Sequence, residues 1–351
     1  GGFNTLNIQY NYIYNYATTY KTVFDDCVSA YKTSSGTTGT IQAGRLPHLI
    51  EERKRNVVNG VVEEFLASGN DIDANTFVEF VNGNTIVAGT ETSINSVTTN
   101  ASLAVLLDST HVLFCYEDPS YGSAIVLTIN GTNITEEGAV VRVHTGGTLY
   151  TSAVSIDSTH VVFCYRDGGG YGKAVLLTIS GVTITVGVEC AFNYGNTGNL
   201  STILLDSTHV LVCYQNIGNN NYGEAIVLLI GEAFIEPGTA TIFNSKSTGE
   251  VSVSLLNSTH AVVCYEDSGN NHYGTANILT ISGTSITVGT ATIFNSTYTR
   301  YLSLSSLDST HAIISYSDDA NNYYGIAAVL TISDISITVG TKIVFNSGTT
   351  F

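Results

Sequence analysis

Along most of the chain, apolar and polar residues alternate or gather in short apolar runs, at the lengths and spacings of β-strands. Near the C-terminal end, Tyr301 to Leu307, His311 to Tyr316, Gly325 to Ile332 and Ile337 to Phe345 each read as one strand. They are called A, B, C and D below. The runs are rich in Val, Ile, Thr and Tyr and are bounded by Gly, Asn, Asp and Ser, as strands and their turns require. No helical period falls between them.

This pattern repeats. Ser-Thr-His occurs five times, with its His at 111, 160, 209, 260 and 311, at spacings of 49, 49, 51 and 51 residues. Each copy follows an Asp or Asn (Asp108, Asp157, Asp206, Asn257, Asp308) and leads into a run ending in Tyr116, Tyr165, Tyr214, Tyr265 or Tyr316. A polar loop then closes on Tyr-Gly, and two further apolar runs follow. A unit of four strands and roughly 50 residues is the size of a propeller blade. One such sheet leaves two faces to cover, and stacking like units around an axis covers them. The expectation is an all-β chain: a β-propeller of five four-stranded blades, over residues 77–351. Residues 78–96 resemble the end of C plus D, which leaves a spare outer strand.

Residues 1–76 do not follow the repeat. Tyr alternates through Tyr10, Tyr12, Tyr14 and Tyr16, and the stretch from Thr33 to Thr40 reads as a linker. Pro47 opens a helix-like segment to about Ala67, with Ile50, Val57, Val58, Val61, Val62, Phe65 and Leu66 on one stripe. The expectation is a small attachment or oligomerisation segment containing one helix, and a homo-oligomer or a part of a larger assembly.

Charge narrows the function classes. Asp and Glu outnumber Lys and Arg by 29 to 12, for a net −17. Residues 77–351 hold 6 basic and 21 acidic residues, and so carry −15 of that total. Phosphate contacts need Lys and Arg, so nucleic acid is not an expected partner. No apolar run reaches the roughly 18 residues of a membrane helix, and no membrane insertion is expected. No signal-peptide pattern follows Gly1-Gly2-Phe3.

Candidate chemistry is sparse. The five repeat His residues open strand B beside Asp-Ser-Thr, a turn-forming string, and read as structural. Cys115, Cys164, Cys213 and Cys264 share one repeat position, where the fifth copy has Ser315. They read as small buried thiols, which suit a reducing interior of manufacture. No CxxC pair, calcium loop, GxSxG, HExxH or phosphate loop occurs, so no metal, cofactor or catalytic residue is expected.

The copies can be compared with one another. The A–B and C–D turns are nearly uniform and share one rim. The B–C and D–A loops vary and share the other, and variable loops on a rigid scaffold are where recognition is placed. They are rich in Tyr, Asn, Asp, Ser and Gly, a mix suited to sugars. The candidate ligand-binding residues are Asp118, Tyr121, Tyr150, Asp167, Tyr171, Asn220, Tyr222, Asp267, Tyr273, Tyr301, Asp318 and Tyr324.

The repeat Leu-Asp-Ser-Thr-His-Val-Leu-x-Cys-Tyr, followed by Tyr-Gly-x-Ala-x-Val-Leu-Thr-Ile-Ser-Gly, resembles propeller repeats of tail-fibre and other virion proteins from phages and prophages of Gram-positive bacteria. The resemblance covers roughly residues 78–351 and implies a virion structural or adhesion protein that is not an enzyme. It would be assembled in bacterial cytoplasm and held to other virion proteins through residues 1–76. Host-surface glycans would be its possible partner. The other readings are a free lectin, secreted or at a cell surface, and a glycan-cleaving enzyme.

Overall fold

The computed structural model describes residues 5–6, 65–66, 93–94, 99–118 and 121–350. The chain divides into two compact units, Gly1–Ala88 and Gly89–Phe351. In the first, Thr5–Leu6 pairs antiparallel with Phe65–Leu66. Those last two residues lie in the stretch read as helical, and their backbone is engaged across strands instead. The rest of that stretch, and the spare strand expected before residue 93, lie outside the described residues.

The second unit is a β-propeller. In blade 1, Asn100–Leu106, His111–Glu117 and Gly122–Asn130 pair in order, and Asn133–Glu137 and Val141–His144 both pair with the third strand. The remaining B strands are His160–Asp167, His209–Asn216, His260–Asp267 and His311–Asp318. All pairings are antiparallel, and five such sheets stand among the described residues. The long strands Cys190–Asp206 and Thr292–Asp308 each begin as the outer edge of one blade and end as the inner strand of the next. Strand D, expected as one run in the last copy, is two: Ser336–Val339 and Ile343–Thr349. The break falls at Gly340, whose N–H donates to the Val329 carbonyl at 2.8 Å.

The core lies between blades. Along each B strand, the second and fourth residues after His face the following blade, and the first, third and fifth face the preceding one. Leu113 and Cys115 thus pack with Val161, Phe163 and Tyr165. Val262 and Cys264 pack with Ala312, Ile314 and Tyr316. The four repeat Cys are fully buried and free, and burial pushes the Cys115 thiol up to about 12.

The Tyr-Gly signature has a steric cause. A Cβ on Gly274 would lie 2.4 Å from Cε2 of Phe294, whose ring covers the glycine. The same ring sits 5.4 Å from Tyr316 of the next blade. Gly172 and Phe192 repeat the arrangement, with Phe192 5.4 Å from Tyr214.

The A–B turns also explain their sequence. Thr159 donates its N–H and Oγ1 to Oδ1 of Asp157, both at 2.7 Å, and His160 Nδ1 lies 3.1 Å from the same carboxylate. In blade 4, Asn257 accepts both Thr259 bonds through Oδ1 at 3.0 Å. One oxygen satisfies the turn backbone, and the imidazole closes it.

Candidate functional site

Two loop geometries build the variable rim. In the D–A loops an Asn clasps a Thr four residues on. Asn193 Nδ2 donates to Thr197 Oγ1 at 2.9 Å, Asn244 to Thr248 at 3.0 Å, and Asn295 to Thr299 at 3.0 Å. The clasp holds the three residues between, which differ from copy to copy. Two positions after Thr148, Thr197 and Thr299, the chain turns left-handed at Tyr150 (φ 48°), Asn199 (φ 33°) and Tyr301 (φ 53°), each at a strand bulge. Left-handed backbone is costly for Tyr, and such strain gathers where a side chain must be aimed. Both tyrosines are exposed there.

The B–C loops of blades 3, 4 and 5 turn through two consecutive left-handed residues: Asn220 and Asn221, Asn271 and His272, Asn322 and Tyr323. This is the backbone of a type I′ turn, in which Asn is favoured. The second residue of each pair is unlike its counterparts, so one geometry displays Asn221, His272 and Tyr323 at matching places.

Where blades 4 and 5 meet, the two loop types converge. The His272 ring stacks on Tyr298, with centroids 4.0 Å apart and planes 17° apart. The Arg300 guanidinium lies 4.4 Å from the centre of the same Tyr298 ring, and its Nε donates to Asp319 Oδ2 at 3.1 Å. His272 Nδ1 is hydrogen-bonded to Glu266. Glu250 accepts the Leu302 N–H at 3.0 Å. Burial, reinforced by the charge of Glu266, holds the Glu250 carboxyl above its usual range. The site therefore combines an aromatic plate, a guanidinium, an imidazole and three carboxylates.

The junction of blades 1 and 2 carries a second polar cluster. Glu189 accepts from the Tyr165 hydroxyl at 2.6 Å and from Lys173 Nζ at 2.9 Å, and His144 Nδ1 lies 2.5 Å from it. Lys173 also lies 3.2 Å from Asp167. The cluster ties His144 of blade 1 to Glu189 of blade 2.

The residues singled out from sequence fall along this rim, in several roles. Asp118 accepts from the Tyr121 N–H at 2.9 Å, and Asp167 from those of Gly169 and Tyr171, both at 2.9 Å. Asp267 accepts from Asn244 at 3.2 Å, and Asp318 from the Thr297 hydroxyl at 2.6 Å. Asp118 and Asp167 thus shape their own loops, and Asp267 and Asp318 tie theirs to the preceding D–A loops. Tyr121 lies under Arg142 at 3.9 Å, and Tyr171 meets Tyr194 edge-on at 6.1 Å. Tyr222, Tyr273 and Tyr324 are half-buried, Tyr324 against the core of the last two blades. The candidates are distributed over the blades. Sequence reasoning missed His272, Tyr298 and Arg300, which the fold gathers. The available signal was the Asn-x-x-x-Thr spacing, which frames Tyr298. Among the described residues no three His, Cys, Asp or Glu converge as a metal-holding group.

No protein-family model matches the chain, and no curated protein matches its sequence. Solved structures do match its fold. A protein from Lactobacillus plantarum superposes with a TM-score of 0.52 at 13% identity, over 69% of this chain and 70% of that one. The SapL1 lectin, solved with alpha methyl fucoside, gives 0.44 at 12% identity, over 82% and 89%. A periplasmic gluconolactonase from Pseudomonas aeruginosa gives 0.42 at 9% identity, over 72% and 86%. These likenesses concern the fold. The expectation that the chain is not an enzyme is corrected by the gluconolactonase: propeller-like structures include enzymes as well as lectins. The architecture therefore gives no ground for excluding catalysis.

Proposed function

We propose that the chain is a glycan-binding propeller of a phage or prophage virion, with its seat where blades 4 and 5 meet on the variable rim. The stack of His272 on Tyr298 beside Arg300 carries this reading. A pyranose has apolar C–H faces and a belt of hydroxyls. An aromatic plate accepts the face, and a guanidinium with carboxylates pairs with the belt. Both parts are held in place before any ligand arrives, which lowers the ordering cost of binding. The virion setting is supported by the style of the repeat, with residues 1–76 as the attachment segment.

The test is a glycan array that includes bacterial wall polysaccharides, probed with the whole chain and with Tyr298→Ala. Binding by both, weaker for the second, is expected. Equal binding by both would move the seat elsewhere on the rim, and no binding by either would end the glycan reading. Release of soluble sugar during incubation would assign cleavage as well. Antibody labelling of induced phage particles tests the virion setting separately.

A further inference from the structure

The blade-to-blade contact is made four times over within the chain, always between the same two faces. The face turned toward the following blade carries the last Leu or Ile of strand A, the second residue after His in strand B, and the Phe that covers the Tyr-Gly glycine. In blade 4 these are Leu256, Val262 and Phe294, all buried against blade 5. In blade 5 the same positions are Leu307, Ile313 and Phe345, and all three are exposed: Leu307 at 59% against 7% for Leu256, and Phe345 at 57% against 2% for Phe294. Ile343, on the same face, is exposed too. Ser315 stands there where the four earlier copies have a buried Cys.

The opposite face is open at the other end of the series. Leu106 of blade 1 is 68% exposed. Its counterparts Leu204 and Leu255 pack against the blade before them. Val112 and Phe114 are half-buried, whereas Val161 and Phe163 are fully covered. Among the described residues, Ile94 packs by Tyr116, Ile125 and Leu127 on the outer part of this face. Among the described residues no apolar cluster joins blade 5 to blade 1.

We propose that the free face of blade 5 seats a second copy of this chain, which brings the inner part of its own blade 1. The argument is continuity. What fits the blade 5 face is the complementary face of another blade of this repeat, and the blade 1 face is the one of that kind left open among the described blades. The contact would place Leu307 and Ile313 of one copy against Leu106 and Val112 of the next, as Leu256 and Val262 meet their neighbours within the chain. Such an interface is heterologous, head to tail, so each copy keeps one free end. Association therefore continues beyond a dimer, into a ring or a filament. Exposed apolar surface of this kind is a docking surface or an aggregation liability, and an ordered contact distinguishes the two.

The test uses the whole chain. Leu106→Cys and Leu307→Cys copies are mixed under oxidising conditions, each alone serving as the control, and the two changes are also combined in one chain. Multi-angle scattering follows mass against concentration, for the wild type and for Ile313→Asp. The expected result is a disulfide-linked species in the mixture well above either control, with wild-type mass rising in steps of one copy. Ile313→Asp would stay monomeric with unchanged circular dichroism. A link formed only inside single copies of the combined variant would show that blade 5 closes on its own blade 1, and would overturn the proposal. So would wild-type protein that stays monomeric without any link, the result expected if the chain's own N-terminal residues cover the face.

Discussion

The imidazole of His272 lies on the ring of Tyr298, with centroids 4.0 Å apart and planes 17° apart. The two residues flank neighbouring strands of blade 4, where Tyr298 pairs with Tyr273, and are 26 positions apart in the chain. Their loops are fixed by unrelated means. A left-handed pair of residues aims His272, and the Asn295–Thr299 clasp frames Tyr298. The platform is thus built by the scaffold and not by the loops' own packing.

If sugar binds there, Tyr298→Ala should weaken binding roughly two- to tenfold, the worth of an aromatic contact of about 0.5–1.5 kcal/mol. Tyr298→Phe should bind within about twofold of wild type, because the plate remains. Titration calorimetry against the best array ligand measures both. Loss in the Phe variant equal to that in the Ala variant would show that the hydroxyl, and not the ring face, is what the ligand uses.

Phe294 and Phe345 occupy one repeat position with opposite exposure, and so form an internal control. Phe294→Ala removes a ring packed between two blades and should cost about 3–5 kcal/mol. Phe345→Ala, measured at concentrations where the chain is monomeric, should stay within about 0.5 kcal/mol. Urea unfolding of both variants reads the difference. Equal costs would mean that Phe345 is covered in solution.

The repeat was legible because its residues answer backbone and steric demands that recur in every blade. Asp157 must accept from its turn, and Gly172 must lie under Phe192. Each such demand selects few side chains, so the same letters return about every 50 residues. The candidate site was not legible in the same way. His272 and Arg300 each occur in one copy only, at positions where the loop geometry accepts Asn221 or Tyr323, and Gly249, instead. A periodic signal cannot mark a residue chosen for what makes it different. The break in strand D was missed because the β-rich stretches Ile337 to Val339 and Ile343 to Phe345 lie close enough on either side of Gly340 to read as one run. The open face of blade 5 showed in the sequence only as Ser315 replacing Cys.

Glu189 should make the contact between blades 1 and 2 sensitive to acid. Burial works against its charge, but hydrogen bonds from Tyr165, Lys173 and His144 prevail and lower the carboxyl from 4.5 to about 2. A depressed pKa in the folded state stabilises the fold fully above the unfolded value, and that contribution is lost as pH falls through the folded value. The stability difference between wild type and Glu189→Gln should therefore be largest above about pH 5 and shrink toward pH 2. Urea midpoints of both proteins across that range provide the check. A difference that does not change with pH would mean that Glu189 acts through shape alone.

The A–B turns offer a test that the chain has already half performed. Asn257 accepts the same two Thr bonds as the Asp of the other copies, at 3.0 Å each, without a charge. The geometry of the oxygen, more than its charge, is then what the turn needs. Asp157→Asn should keep most of the melting temperature of the wild type, and Asp157→Ala should lower it, because the Thr159 N–H and hydroxyl both lose their acceptor. Thermal unfolding followed by circular dichroism separates the two outcomes. If Asp157→Asn falls as far as Asp157→Ala, the charge facing His160 is essential in that blade, and Asn257 is tolerated in blade 4 for a reason of its own.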